Sequence, residues 1–284
     1  SGFNIGEYNM STDIEVRNGY VYMTADSSVQ NNPDLYILYA NDPDDIHIIS
    51  SLNTGRGLLA LELANHYIYS LNSGTTNTLQ IIDISNRSNP ILITKYKIPT
   101  PNASTSAPIA SSIFYKDKKV YIGTEKWSGP ELNIIDVSNP YIPVYVKGYE
   151  TNTQIEDIYV IDNLVYIATP ETKQFRVLDI SDIQNINELS YISPSGYHTQ
   201  QGKVINIFEN NIILGRTVGG FNVIQNHELF SYDKTKSNSN DISSFDFSRD
   251  VPGGIYSILQ RYPYIYLATG SLGHEFQVWT KDMN

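Results

Sequence analysis

Three acids, Asp13, Glu156 and Asp157, are the residues whose type and placement could do chemistry. Carboxylates that converge can divide the work of general acid and general base, or share a divalent cation through their oxygens. Glu156 and Asp157 are neighbours, whereas Asp13 lies far away in the sequence. Only the fold could bring all three to one place. A plainer reading stands beside this one: solvated acids lining a wet channel do no chemistry. Strand alternation also sends Glu156 and Asp157 to opposite faces.

The segments that must position these acids do repeat. A Tyr-rich strand recurs as GYVYMTAD, HYIYSLNS, KVYIGTEK, LVYIATPE, NIILGRTV and YIYLATGS, centred on Tyr22, Tyr69, Tyr121, Tyr166, Ile213 and Tyr266. A second strand follows each time, beginning at Leu35, Leu79, Leu132, Phe175, Phe221 and Phe276. A period of roughly 45–53 residues built from short, β-branched and aromatic strands predicts propeller blades of about four strands. Tight turns join the first two strands of a unit, as in Arg17-Asn18-Gly19 and Lys116-Asp117-Lys118, where Asn, Asp and Gly supply left-handed backbone. The last unit, ending FQVWTKDMN, has three strands, and the first residues, FNIGEYN, resemble the outer strands ITKYKIP and YVKGYET. The expectation is an all-β, six-bladed β-propeller over residues 1–284, a single domain whose last blade is closed by the N-terminal strand. Counting nine residues back from each central strand residue puts Asp13, Ala60, Ser112, Asp157, Val204 and Ser257 on the innermost strands.

The outer hairpins read LQIIDISNRSNP at 79–90, LNIIDVSNPYIP at 132–143 and FRVLDISDIQNI at 175–186. This pattern, an apolar strand ending in Asp-x-Ser with a nearby Pro, resembles the LVIVD-repeat family of β-propellers. The resemblance is strongest in the second to fourth units and implies a fold rather than a reaction. Relatives of this kind look like modules carried on bacterial envelope proteins. The repeated Asp83, Asp136 and Asp179 are read as turn caps that accept backbone N–H bonds, because a group present in unit after unit is architecture. A ring of calcium sites would need the clustered Asp/Asn/Gly spacing of a calcium loop, which is missing here.

Composition narrows the functional classes. Thirty Asp and Glu against nineteen Lys and Arg give a net charge of −11, which argues against nucleic acid or an anionic membrane as partner. The absence of cysteine removes disulfides and thiolate chemistry. No apolar run is long enough to span a bilayer, so membrane insertion by this segment is not expected. The chain begins Ser1-Gly2 and reads directly into a strand, as a mature or trimmed form would. Nucleophile-elbow, phosphate-loop and dinucleotide motifs are absent, and the histidines lack metal spacing.

The long loops, including Glu125–Glu131 and the polar stretch from Lys234, fall on one predicted face. Trp127, Tyr197, His198, His274 and Arg56 are the binding candidates there. Trp127 could stack on a sugar or anchor a protein, or pack over its own blade. The reading that follows is a monomeric, non-enzymatic binding or display module without cofactor. It would be the exported, extracellular or cell-surface part of a bacterial envelope protein, meeting a protein or glycan through the long-loop face. The alternative is a hydrolase or lyase using Asp13, Glu156 and Asp157, with a divalent cation in the channel. An intracellular peptide-binding scaffold is a third, weaker reading.

Overall fold

The computed structural model describes residues 9–27, 32–42, 44–74, 76–100, 106–193, 200–208, 211–218, 227–233, 247–251, 254–261, 263–270 and 276–280. All of its regular structure is β. The first blade is β1 (Asn9–Arg17), β2 (Tyr20–Ser27), β3 (Leu35–Tyr39) and β4 (His47–Leu52). The second is β5 (Leu58–Ala64), β6 (Tyr67–Asn72), β7 (Leu79–Asp83) and β8 (Ile91–Tyr96). The third is β9 (Ala110–Lys116), β10 (Lys119–Thr124), β11 (Leu132–Asp136) and β12 (Val144–Tyr149). The fourth is β13 (Asp157–Ile161), β14 (Leu164–Ala168), β15 (Phe175–Asp179) and β16 (Asn187–Ile192). The fifth is β17 (Gln200–Phe208), β18 (Asn211–Val218), β19 (His227–Asp233) and β20 (Phe247–Val251). Last comes a three-stranded sheet of β21 (Ile255–Arg261), β22 (Tyr264–Thr269) and β23 (Phe276–Thr280).

Each sheet is an antiparallel meander in chain order. The architecture is that of a β-propeller; among the described residues it has five complete four-stranded blades, not six, and the sixth repeat contributes three strands. The N-terminal strand expected to complete it lies outside the described residues. In the fifth blade the third strand is described over His227–Asp233, with Leu229–Asp233 paired to Asn211–Gly215; the strand start expected at Phe221 lies outside the described residues.

Contacts divide the chain into two compact units, 1–150 and 151–284. In the first, one core cluster joins Tyr22, Leu35 and Ile37 of the first blade to Leu61, Leu63, Ile68 and Ile82 of the second. Another joins Tyr69, Leu79 and Ile81 of the second to Ile113, Val120 and Ile122 of the third. In the second unit, Tyr166, Phe175 and Val177 of the fourth blade pack on Ile205, Ile212 and Leu214 of the fifth. Ile213 of the fifth blade then packs on Ile258, Ile265 and Leu267 of the last sheet. A blade covered on both faces needs apolar residues at successive positions. This is why β6 and β10 are buried almost throughout instead of alternating.

The repeated motif residues do local work. Asn18 and Gly19 take φ values of 54° and 76°, as a tight hairpin turn requires. A Cβ on Gly19 would meet the Asn41 Cβ at 2.8 Å, so a side chain is excluded there on space as well. Oδ1 of Asp83, Asp136 and Asp179 accepts the amide N–H of Ser85, Ser138 and Ser181 at 2.8, 2.7 and 2.7 Å. The residue after each Asp then ties back to the hairpin turn: Ile84 N–H to His66 O, Val137 N–H to Lys118 O and Ile180 N–H to Asn163 O, all at 2.8 Å. These acids are therefore turn caps. In the first four blades the outer strand carries a bulge at the equivalent position, opposite Ile37/Leu38, Ile81/Ile82, Ile134/Ile135 and Val177/Leu178. Bulges on edge strands discourage pairing with another chain.

The Ser138 hydroxyl and amide hold the Asp136 carboxyl below its ordinary value of 3.8. Its stabilising effect is thus present above the unfolded-state value and lost as pH falls through the folded one. Asp136→Ala should lower the unfolding free energy by about 1 kcal/mol at neutral pH. In urea titrations the gap from wild type should close below the folded-state value.

Candidate functional site

The innermost strands carry the acids singled out from the sequence, and each acid is engaged with the main chain or a side chain of the next blade. Asp13 Oδ2 accepts the Leu61 N–H at 2.9 Å, while its Oδ1 accepts the Ile14 N–H at 2.8 Å. Asp157 repeats the arrangement: Oδ2 accepts the Ile205 N–H at 2.7 Å and Oδ1 the Ile158 N–H at 2.9 Å. Glu156 pairs with the Lys203 ammonium and accepts a bond from the Gln154 amide at 3.0 Å. Glu156 precedes β13, so strand alternation does not govern it, and both neighbouring acids reach β17. This corrects the expectation that they point apart.

The reason lies in the sheet edge. An innermost strand pairs on one side only, and its other side presents N–H and C=O groups that need partners. Side chains of the preceding blade supply some of them. Thr12 donates to Leu58 O at 2.6 Å, Glu15 Oε1 accepts the Leu63 N–H at 3.2 Å, and Arg17 donates to Leu63 O and Asn65 O at 2.7 and 3.1 Å. In the second unit Asn206 donates to Ile258 O at 2.7 Å and accepts the Ile207 N–H at 2.7 Å. Burial raises the Asp13 carboxyl above its ordinary 3.8, against the lowering pull of the Leu61 and Ile14 amides. Burial likewise raises Glu15 above 4.5; the Leu63 amide and Arg17 oppose the rise, and the Asp13 charge adds to it.

Sequence reasoning missed Thr12, Glu15 and Arg17. The signal was available, since polar residues at 13, 15 and 17 alternate with Ile14 and Val16, which are 57 % and 69 % exposed. It also missed two knots at the start of third strands. Asp34, wholly buried, accepts the Thr54 N–H at 2.9 Å and the Thr54 hydroxyl at 2.8 Å, fixing the crossover to the second blade. Burial raises its carboxyl, with the Thr54 bonds pulling the other way. Glu131, also wholly buried, pairs with Lys126 at 2.9 Å, and Lys126 pairs in turn with Glu150 at 2.7 Å. These two acceptors, Glu150 first, raise the Lys126 ammonium.

Of the loop candidates, two are described. Trp127 is half-buried against the second core cluster, and its indole N–H donates to Pro130 O at 3.0 Å. The ring lies over Gly129, where a Cβ would come within 2.5 Å of it. Arg56 is exposed on the crossover. Its loop is tied down by the Ser73 hydroxyl on Arg56 O at 2.8 Å and the Asn72 amide on Gly57 O at 3.1 Å. Tyr197, His198, His274 and the stretch from Lys234 lie outside the described residues. Among the described residues no three His, Cys, Asp or Glu side chains are grouped to hold a metal ion, and no helix is long and apolar enough to cross a membrane.

Residues 74–98, 110–151 and 154–191 match the LVIVD repeat. These stretches of the second to fourth blades carry LVIVD repeats. No curated protein matches it in sequence. Among solved structures, it is similar to a Bacteroides uniformis protein named for a proposed 6-phosphogluconolactonase activity. That match has a TM-score of 0.76 and 9 % identity, covering 99 % of this chain and 82 % of the other. It is similar to the periplasmic gluconolactonase of Pseudomonas aeruginosa, with a TM-score of 0.71 and 8 % identity over 95 % and 80 % of the two chains. It also resembles the Swd1 β-propeller of Myceliophteria thermophila, with a TM-score of 0.65 and 11 % identity over 95 % and 83 %. At such identities these likenesses establish the β-propeller fold alone.

If Asp157 holds a seam, Asp157→Ala should cost about 1–3 kcal/mol by stranding the Ile205 N–H, while Asp157→Asn, which keeps an acceptor, should cost less. Equilibrium unfolding of the two variants checks this.

Proposed function

We propose that this chain is a non-enzymatic binding or display module that meets a glycan or protein through its long-loop face. The observation that carries the reading is the engagement of Asp13, Glu156 and Asp157 with neighbouring strands, which leaves the hydrolase or lyase reading without a free acid–base pair. Two further features support it. Trp127 is oriented by its own loop, so stacking on a partner would cost little ordering. Arg56 stands on a tethered loop in a chain of net charge −11. The module belongs to an exported, surface-exposed bacterial protein and acts as a monomer. Membrane-impermeant labelling of intact source cells should reach it.

The reading is tested on glycan and peptide arrays. Trp127→Ala and Arg56→Ala should each weaken binding of the hits at least tenfold with circular dichroism unchanged; Tm should stay unchanged in Arg56→Ala and fall by a few degrees in Trp127→Ala, whose ring packs on its own blade. Turnover of a lactone or glycoside that Asp13→Asn and Asp157→Asn abolish would instead favour the enzyme.

We further propose that the six repeats form one closed domain, residues 3–8 adding the fourth strand to β23. The support is the six-fold period and the likeness of FNIGEYN to the outer strands. Removing residues 1–8 should then lower Tm; an unchanged Tm contradicts closure.

A further inference from the structure

The second residue of the third strand is polar and buried in three successive blades: Gln80 in β7, Asn133 in β11 and Arg176 in β15. Two of the three are satisfied by protein. Asn133 Oδ1 accepts the Tyr145 hydroxyl at 3.1 Å, and its Nδ2 donates to Pro130 O at 2.8 Å. The Arg176 guanidinium pairs with Glu188 at 2.5 Å and donates to Thr151 O at 2.8 Å. Gln80 is wholly buried, yet among the described residues neither its Oε1 nor its Nε2 has a hydrogen-bond partner.

The repeat shows why. Tyr145 and Glu188 occupy one place on the outer strand, opposite Ile135 of β11 and Leu178 of β15. In the second blade that place, opposite Ile82 of β7, is held by Leu92, which offers no polar atom. The crossover carbonyl is also taken. Thr54 stands two residues beyond β4 as Thr151 stands two beyond β12, and Thr54 O accepts the Lys95 ammonium at 2.8 Å. Ser70, opposite Gln80 on β6, commits its hydroxyl hydrogen to Ala60 O at 2.5 Å. Three residues before Gln80, buried Asn77 Oδ1 likewise lacks a partner. A side chain at this place can reach back that far, as Asn133 does to Pro130.

We infer that the Gln80 amide is a binding site for buried water, which fills the place that the Tyr145 hydroxyl and the Glu188 carboxylate take in the next two blades. Buried polar groups are bonded to protein or to ordered water, because stranding one forfeits its whole hydration. Water matches both ends of the amide: one molecule can accept from Nε2 and donate to Asn77 Oδ1, and another can donate to Oε1. Room follows from the same comparison. This place in a blade accommodates the guanidinium of Arg176, 5 % exposed, and a glutamine side chain is shorter. Gln80 has no exposed surface, so the water is an enclosed part of the fold.

A crystal structure of the wild type and water-selective NOE spectra in solution test the site. The electron density should hold an ordered water within about 3.2 Å of Nε2 or Oε1. In solution the Gln80 side-chain amide hydrogens should give cross-peaks to bound water. These should persist in Ser70→Ala, which removes a hydroxyl that could relay the signal. Density in which the amide bonds directly to Lys95 or Ser70, with no water beside it, overturns the inference. So do amide hydrogens with no cross-peak to water, or a cross-peak that Ser70→Ala abolishes.

Discussion

An innermost propeller strand has one paired edge and one open edge, and the open edge must be satisfied. The rest of this structure depends on how that is done. Side chains of the preceding blade act as the missing strand: Asp13 and Glu15 take two amides of β5, Arg17 takes two carbonyls, and Asp157 takes an amide of β17. The apolar clusters between blades supply most of the burial but are non-directional. The seam bonds fix which residue faces which, because a carboxylate that loses its amide partner is left partly desolvated.

The same constraint supports the functional reading proposed above. Acids on innermost strands look catalytic when only their type and approximate height are known. In the structure Asp13 and Asp157 accept main-chain amides of neighbouring strands, and Glu156 pairs with Lys203. The loops are built differently. Lys126 is held by Glu131 and Glu150, Trp127 by Pro130, and the Arg56 loop by Ser73 and Asn72. Rigid loops on a rigid scaffold suit recognition.

Local features were legible in the sequence. Asn18-Gly19 specifies its turn, and Asp-x-Ser specifies its cap, because both act within a few residues. The destination of Asp13 was not legible, since its partner is a main-chain amide 48 residues away and main-chain groups leave no mark in the sequence. Glu131 reads as a solvated loop acid until Lys126 is seen over it.

The central claim is that the innermost acids are bonded across the seams. Carboxyl-carbon and amide NMR titrations measure this most directly. The account predicts that the Leu61 amide shifts with the midpoint of the Asp13 carboxyl, and the Ile205 amide with that of Asp157. Amide shifts that ignore the titration of those carboxyls would contradict it.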